Sequence, residues 1–308
     1  MTRRMIFHHP LPLIPDAASA SGIRPVQMKR AFEELGYEVW QVTGYTGERG
    51  RLAAEVRYAV RCGVRFDFCY SESSTMPMTM TNPTHLPTRP FLDVGFFRSL
   101  RRNGVPVGQF LRDIYWVFPN YRESLPFFKL RAALAAYEWD MRTLRHHVDR
   151  VFLPSLKVGE YINLGNVPVS ALEPGHGHAE PLSGPEEGAS LFYVGGIGPG
   201  YKLHELFAAV KRAWEEKNLD VRLTVCLRSE EWDAVKHEYE QWACPAIEIV
   251  HGHGNSLREY FERTNIAAIV VDLDEYWKLG VPVKLYDYIG AGKPVMVTKG
   301  SLVGDMVE

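Results

Sequence analysis

Short apolar runs and longer amphipathic stretches alternate along the chain in two successive blocks. Runs rich in β-branched and aromatic residues, such as residues 5–8 and 37–43, predict buried strands. The stretch between them, residues 25–35, repeats apolar residues at helical spacing, and Gly36 provides a natural stop for that helix. Strands that alternate with helices predict parallel sheets covered by helices, which is an α/β fold.

The remaining elements follow from the same patterns. In the first block, a long helix is predicted at residues 123–147. Four further strands are predicted there, at 66–70, 105–111, 148–153 and 167–172. In the second block the predicted strands lie at 191–194, 221–227, 247–251, 266–273 and 294–298, and the predicted helices at 203–217, 230–241, 256–263 and 282–290. Residues 71–90, rich in Met, Pro and Thr, have no pattern that predicts an element.

A stretch dense in glycine and proline separates the two blocks and is typical of an interdomain linker. We therefore predict a first domain at residues 1–172, a linker at 173–188 and a second domain at 189–308. The second block ends in what resembles the start of a helix, where a doubly wound domain normally adds another strand and helix. We expect the second domain to be truncated at its C-terminus.

Composition excludes several classes of protein. The chain has 308 residues, 46% of them hydrophobic and 23% charged, which is typical of a globular protein. Its formal net charge of −2 gives no basic field, so nucleic acid is not an expected partner. The four cysteines form no C-x-x-C pair, which suits a reducing compartment. No apolar run approaches the roughly 20 residues of a membrane span, so we predict a cytoplasmic protein and leave open a location at the inner face of the membrane.

The sequence from Tyr193 to Lys202 carries a strand into four glycines and then into a helix. Glycines let a backbone approach a ligand closely, and N–H groups at a helix N-terminus attract phosphate. Gly195, Gly196 and Gly198 are therefore candidates for contacting a phosphorylated ligand, and Lys202 adds a positive charge. The alternative is a tight turn between strand and helix with no ligand.

A nicotinamide-dependent enzyme is the competing interpretation of that turn. Its fingerprint is G-x-G-x-x-G, with an acidic residue at the end of the next strand. Here the glycines are spaced differently, and Arg228 follows the next strand. Both differences weaken the nicotinamide interpretation, and no cofactor is expected.

The most specific string in the chain is Gly280-Val-Pro-Val-Lys-Leu-Tyr-Asp-Tyr-Ile-Gly-Ala-Gly-Lys-Pro-Val295. Lys284 and Asp287 are three residues apart and share a helix face. Leu285 and Ile289 lie four apart on another face, which we expect to pack on the sheet. That arrangement leaves Asp287 on the ligand side.

This string resembles the donor-binding helix of GT-B glycosyltransferases, in particular retaining family four, where the pattern is approximately Pro-x-Lys-x-x-Glu-Tyr-x-Ala-x-Gly-Lys-Pro-Val. The resemblance implies two Rossmann-like doubly wound domains, with the acceptor on the first and a nucleotide-sugar donor on the second. It implies that Lys284 and Asp287 contact the donor, with Asp287 on the ribose hydroxyls. One carboxylate can accept two hydrogen bonds from such a diol.

The sequence departs from the family pattern at two places. Eight residues before Asp287, where the family often has a sugar-contacting Glu, lies Leu279. Asp272, Asp274 and Glu275 lie upstream and are alternative replacements, of which Glu275 is our catalytic candidate. In the glycine turn, Gly196 stands at the place of a phosphate-binding Arg, whereas Lys202 matches the family's Lys. Arg228 is a candidate for the missing second cation.

The first block also resembles the family. Residues 19–39 are similar to its first glycine loop and helix, with Gly22 and Arg24 at the donor-contacting positions. Asp113 follows a predicted strand at a place where the family often has a His-Asp pair, and Arg112 replaces the His. The resemblance makes Asp113 a catalytic candidate. The alternatives are surface exposure for Arg24 and a structural cap for Asp113.

No metal site is expected. His8 and His9 end the first predicted strand, but neither these nor the other histidines have metal-ligand spacing. Asp272-Leu-Asp274 is the only stretch of the sequence with the spacing of a metal-binding D-x-D motif. Residues 116–131 mix aromatic and basic side chains, which is typical either of peripheral membrane contact or of an aromatic loop packed on its own domain.

The resemblance implies a retaining hexosyltransferase, independent of metal, that uses a nucleotide diphosphate sugar and a glycan, lipid-linked or small-molecule acceptor, as in polysaccharide biosynthesis. Two alternatives stay open. One is a nucleotide-sugar epimerase on the same fold, and the other is a non-catalytic partner protein that resembles a glycosyltransferase.

Overall fold

The computed structural model describes residues 2–15, 17, 20–175, 180–198, 201 and 203–308. The chain divides into two compact units, Met1–Glu173 and Pro174–Glu308. Each unit is an α/β structure around its own parallel sheet. The α/β class predicted from the sequence is therefore confirmed.

The described part of the first unit contains a six-stranded sheet in which all pairs are parallel, in the order β2-β1-β3-β4-β5-β6. Its strands are β1 (Arg4–His9), β2 (Glu38–Thr43), β3 (Phe68–Glu72), β4 (Val107–Phe110), β5 (Arg150–Leu153) and β6 (Val169–Ala171). Strands buried on both faces consist of nearly continuous apolar runs, which is why the sequence pattern located them.

The helices of this unit are α1 (Ala20–Glu34), α2 (Thr46–Arg61), α3 (Leu92–Arg102), α4 (Pro119–Glu123) and α5 (Phe127–His147). The sequence pattern did not predict α2 or α3. The helix predicted at 123–147 is confirmed from Phe127 to His147, but it begins four residues later than expected, because the chain leaves helical geometry between α4 and α5. Pro126 precedes α5, and a residue before a proline avoids the helical region, so Leu125 ends the continuity.

Helix α1 begins five residues earlier than expected and includes Pro25. Gly22 therefore lies in the first turn of a helix, and the glycine loop expected there is wrong at this residue. The proline lacks the N–H that would bond to the carbonyl four residues earlier. The missing hydrogen bond lies near the amino end of α1, so most of the helical hydrogen bonds, which follow Pro25, are unaffected.

The described part of the second unit contains a five-stranded parallel sheet, in the order β11-β10-β7-β8-β9. Its strands are β7 (Ala189–Val194), β8 (Val221–Cys226), β9 (Ile247–Val250), β10 (Ile266–Ile269) and β11 (Val295–Val297). Its helices are α6 (His204–Glu215), α7 (Ser229–Tyr239), α8 (Arg258–Glu262), α9 (Lys284–Gly290) and α10 (Leu302–Val307).

Part of the stretch predicted as a linker is bound to this second unit. The backbone N–H of Glu180 donates to Gly290, and that of Leu182 donates to Ala291. The ammonium group of Lys293 donates to the carbonyl of Leu182 at 2.5 Å and to that of Thr264 at 2.8 Å. These bonds attach residues 180–182 to the turn that follows α9.

The segment of residues 71–90 packs against a buried ion pair. Arg49 of α2 is fully buried and binds Asp93 of α3 through Nε at 2.8 Å and Nη2 at 3.1 Å, and it also donates to the carbonyl of Met78. His8 contacts the same carboxylate at 3.0 Å. Burial alone would raise the pKa of Asp93, but Arg49 and His8 outweigh it and hold this pKa at about 2.

Candidate functional site

The carboxyl ends of β1, β3 and β4 lie side by side in the first unit. His8 is paired in register with Ser71, and Glu72 is paired with Phe110. Ligands of open α/β sheets bind beyond this edge of the sheet. The polar residues that follow or end these strands therefore mark the candidate site of the first unit.

Glu72 is the centre of this group and is fully buried. Its Oε1 atom accepts a hydrogen bond from Nη2 of Arg112 at 2.5 Å and pairs with Nε of Arg24 at 3.4 Å. Its Oε2 atom accepts from the Tyr70 hydroxyl at 3.3 Å. Nδ1 of His9 donates to the Glu72 carbonyl at 2.9 Å. Sequence reasoning missed Glu72, because its two cationic partners are distant in the chain.

Two guanidinium groups share this one carboxylate, and the Asp113 carboxylate also acts on Arg112. Arg24 also stacks on the Phe110 ring, with 3.9 Å between its Cζ and the ring centroid, and its buried Nη2 has no hydrogen-bond partner in the described part of the chain. Burial raises the pKa of Glu72 against the opposing effect of Arg112 and Arg24, and burial lowers the pKa of His9 to about 3. His9 is therefore neutral at physiological pH, and the unpartnered Nη2 of Arg24 is a donor available to an anionic group.

Asp113 starts the turn that follows β4. Its Oδ1 atom accepts hydrogen bonds from the backbone N–H of Ile114 at 2.7 Å and of Tyr115 at 3.1 Å. These are the bonds of a structural cap. Its catalytic role stays a prediction, whereas the neighbouring Arg112 belongs to the Glu72 cluster.

In the second unit, β7 ends in the predicted glycine turn. Gly195 has φ +146° and Gly198 has φ +144°, conformations that side chains rarely adopt. A Cβ atom on Gly195 would lie 2.4 Å from Nζ of Lys284. Glycine at this position therefore leaves the space that the Lys284 ammonium group occupies.

Lys284 is the first residue of α9, and its Nζ atom is buried with no hydrogen-bond partner in the described residues. Nζ lies 4.0 Å from the ring centroid of Tyr193 and 4.6 Å from that of Tyr201. Burial lowers the pKa of Lys284 to about 7. An ammonium group beside a glycine turn, held by aromatic rings and without an anion, fits a place for a phosphate.

A tyrosine anchors α9 to the strand ends. The Tyr288 hydroxyl accepts from the backbone N–H of Val194 at 3.1 Å and donates to the carbonyl of Ala268 at 3.3 Å. Leu285 and Tyr288 are buried, whereas Ile289 is 57% exposed, so the expected packing of Ile289 on the sheet is wrong. The Tyr288 ring, rather than the Ile289 side chain, is the buried contact of α9 beside Leu285. Asp287 is half-buried.

Arg228 and Glu231 form a pair at the end of β8. Nη1 of Arg228 donates to Oε1 of Glu231 at 2.5 Å, and Oε2 of Glu231 is buried without a partner in the described residues. A Cβ atom on Gly196 would lie 3.6 Å from this Oε2. Sequence reasoning missed Glu231, although it lies three residues beyond Arg228. Lys202 lies outside the described residues.

Asp272, Asp274 and Glu275 are the acidic residues that precede α9. Asp274 accepts a hydrogen bond from the backbone N–H of Trp277 at 2.8 Å, and Glu275 is exposed. Across the described residues, no three His, Cys, Asp or Glu side chains are grouped as metal ligands. The assignment of Glu275 as the catalytic carboxylate stays a prediction.

The aromatic segment of residues 116–131 has two parts. The Trp116 ring stacks on that of Tyr137 with 4.0 Å between centroids, so this part packs on its own unit. Phe127 is 68% exposed and Phe128 is 85% exposed at the start of α5. No described helix has both the length and the apolarity to span a bilayer.

Comparisons with known proteins identify the fold. No protein-family model and no curated protein matches the chain. Solved structures do match. An α-glucosyltransferase in complex with UDP and a 13-mer DNA containing an A:G mismatch has a TM-score of 0.55 and 12% identity, over 97% of this chain and 80% of that chain. The chain has the GT-B fold.

Two further glycosyltransferases share this fold. The lipopolysaccharide outer core galactosyltransferase WaaB in its apo form has a TM-score of 0.52 and 10% identity, over 96% of this chain and 80% of that chain. AviGT4, a glycosyltransferase involved in avilamycin A biosynthesis, has a TM-score of 0.50 and 14% identity, over 98% and 81%. At such identities the shared property is the fold.

Proposed function

We propose that the chain is a glycosyltransferase that moves a hexose-type sugar, with retention, from a nucleotide diphosphate sugar to a glycan, lipid-linked or small-molecule acceptor. The observation that carries the proposal is the buried ammonium group of Lys284 beside the glycine turn. A buried cation without a counter-charge is costly, and binding of an anion offsets that cost. The GT-B fold makes a donor diphosphate the fitting anion.

In this proposal the departing diphosphate is stabilised without a metal ion. The backbone at Gly195, Gly196 and Gly198 approaches the phosphates closely, and the flexible stem of Lys284 turns its ammonium group toward them. Cations placed where negative charge develops lower the barrier to departure. Asp287 binds the ribose hydroxyls, and the free Oε2 atom of Glu231 is an acceptor for a donor hydroxyl group.

The remaining residues take supporting roles in the proposal. Lys202 and Arg228 add positive charge near the diphosphate, and Glu275 contacts the donor sugar. On the first unit, the proposal keeps Arg24 as an anion-binding residue and Asp113 as a catalytic candidate. The buried Nη2 atom of Arg24, which has no partner among the described residues, favours a ligand with an anionic group there.

A ligand panel tests this function. We expect a nucleoside diphosphate to raise the melting temperature, because a ligand at a hundredfold excess over its Kd stabilises by about 2.7 kcal/mol. We expect NAD and NADP to leave it unchanged, and EDTA to leave sugar transfer unchanged. A melting-temperature shift with NAD alone would contradict the proposal. Loss of transfer in EDTA with recovery in manganese would contradict its metal independence.

Peripheral membrane contact is the second part of the proposal. Exposed Phe127 and Phe128 adjoin the basic residues Arg122, Lys129 and Arg131, so this surface offers both apolar contact and attraction to anionic lipids. We expect cosedimentation with phosphatidylglycerol vesicles to fall several-fold in the Phe127→Ser/Phe128→Ser variant. The control is Tyr58→Ser, since Tyr58 is 68% exposed on α2. Equal sedimentation of both variants with the parent would remove this part of the proposal.

A further inference from the structure

A charged depression lies at the amino-end edge of the first sheet, opposite the edge that carries the Glu72 cluster. This depression of about 610 Å³ is formed by the end of α3, the residues before β4, and the end of α5, and the side chains that matter here are Arg98, Arg101, Arg102, His147 and Asp149. Strands rise about 3.3 Å per residue, which places this amino-end edge on the order of 15 Å from the carboxyl ends. The depression is therefore separate from the site described above.

The carboxylate in this depression is already occupied. Arg101 donates to Oδ1 of Asp149 at 2.9 Å and to the carbonyl of His146 at 2.7 Å. Oδ2 of Asp149 accepts from the backbone N–H of Val107 at 2.8 Å. Three guanidinium groups thus face one carboxylate, and its hydrogen bonds go to Arg101 and the backbone.

Arg98 and Arg102 are the two cations left over. Among the described residues, neither guanidinium group has a hydrogen bond or an ion pair. They are four residues apart on α3 and so lie on one face, where like charges repel each other. A multivalent anion between them would replace this repulsion with attraction.

The positive charges also act on a neighbouring histidine. The pKa of His147 is lowered by burial first, then by Arg98, His146, Arg101 and Arg102. The field of all three arginines therefore reaches the ring at the wall of the depression.

The helix dipole of α3 explains the position of only some of these arginines. Cations in the last turn of a helix offset the partial negative charge of its carbonyl groups, and Arg101 and Arg102 occupy the last turn of α3. Arg98 lies before that turn. A concave surface with two unpaired forked donors is also the geometry that binds phosphate oxygens in pairs.

We propose that this depression binds a phosphorylated ligand carrying at least two negative charges, through Arg98 and Arg102. The ligand chemistry is that of a soluble diphosphate or of a lipid headgroup phosphate. The site is independent of the proposed sugar transfer, because it lies at the other edge of the sheet and shares no residue with the proposed donor-binding and catalytic residues.

Inorganic pyrophosphate is the first probe, measured by calorimetry at low ionic strength in the full chain. A Lys284→Met background removes binding at the donor turn. We expect Arg98→Gln/Arg102→Gln to weaken pyrophosphate binding at least tenfold. The control Arg30→Gln/Arg142→Gln removes two exposed arginines, for an equal change in net charge, and should bind as the background does.

Nuclear magnetic resonance titration of His147 gives a second readout. Pyrophosphate should raise the pKa of His147 toward its ordinary value, because the bound anion offsets Arg98 and Arg102. Vesicles containing phosphatidic acid distinguish the sources: sedimentation that depends on the same two arginines assigns a lipid phosphate, and binding of pyrophosphate alone assigns a soluble one. Equal pyrophosphate affinity in the arginine pair variant and its control, with an unchanged His147 pKa, would overturn the proposal.

Discussion

Replacing Lys284 with methionine is expected to weaken binding of a nucleoside diphosphate by about a hundredfold. A hydrogen bond to a charged group contributes about 1.5–3 kcal/mol, and each 1.4 kcal/mol or so is a factor of ten in affinity. Methionine fills similar space beside Gly195 and the ring of Tyr193 but carries no charge. Calorimetry measures the change, and Lys236→Met is the matched control because Lys236 is exposed on α7.

The same variant should be more stable than the parent without ligand. The pKa of Lys284 is lowered to about 7 in the folded chain, whereas an unfolded lysine stays charged to about pH 10. Between these values the unfolded chain binds a proton that the folded chain lacks, so the stability of the parent rises with pH across this window. The advantage of Lys284→Met is therefore greatest below pH 7 and shrinks toward pH 10.

Two results would contradict this account of Lys284. One is unchanged nucleotide affinity in the methionine variant. The other is a loss of stability at pH 6, which would mean that the ammonium group already has an anionic partner in the folded chain.

Glu72→Gln should lower the free energy of unfolding of the first unit by about 3–5 kcal/mol. Breaking a buried ion pair by removing one partner leaves an uncompensated charge, and here the guanidinium groups of Arg24 and Arg112 would both lose their carboxylate. The expected measurement is a lower urea midpoint with an unchanged slope. Glu138→Gln is the control, because Glu138 also contacts two arginines but is 51% exposed, and exposed pairs contribute about 1 kcal/mol or less.

A second substitution separates charge from packing. In Glu72→Leu/Arg112→Met the carboxylate and one guanidinium group are removed together, so we expect more stability than in Glu72→Gln. If Glu72→Gln and Glu138→Gln lose the same small amount, the Glu72 carboxylate is not the counter-charge of this cluster.

Local patterns were sufficient for most of the fold. Buried parallel strands contain runs of apolar residues, so β1, β7 and β8 could be located from the sequence. Helix α2 could not, because Arg49 in its interior looks like a surface residue. Its burial depends on Asp93, which is 44 residues away. The segment 71–90 was unpredictable for the same reason, since Met78 donates to Asp140, 62 residues further along.

In the candidate site, too, residues in a local sequence pattern could be predicted, whereas residues with distant partners could not. Lys284 could be proposed from the sequence because it stands in one continuous string, residues 280–295, that resembles the donor-binding helix of the family. Glu72 was missed because a single acidic residue at a strand end has no distinctive spacing, and its meaning comes from Arg112, 40 residues away. Glu231 was missed because its Oε2 atom is buried beside Gly196, and the course of the glycine turn around it cannot be read from the sequence.

Sugar transfer itself is the most direct test of the account. The full chain is incubated with a panel of nucleotide sugars and candidate acceptors in EDTA, and free nucleoside diphosphate and glycosylated product are quantified by mass spectrometry. The account predicts diphosphate release with at least one nucleotide sugar, its loss in Lys284→Met and its retention in Lys236→Met. A chain that binds and turns over none of the nucleotide sugars, or one whose turnover is the same in both lysine variants, would contradict it.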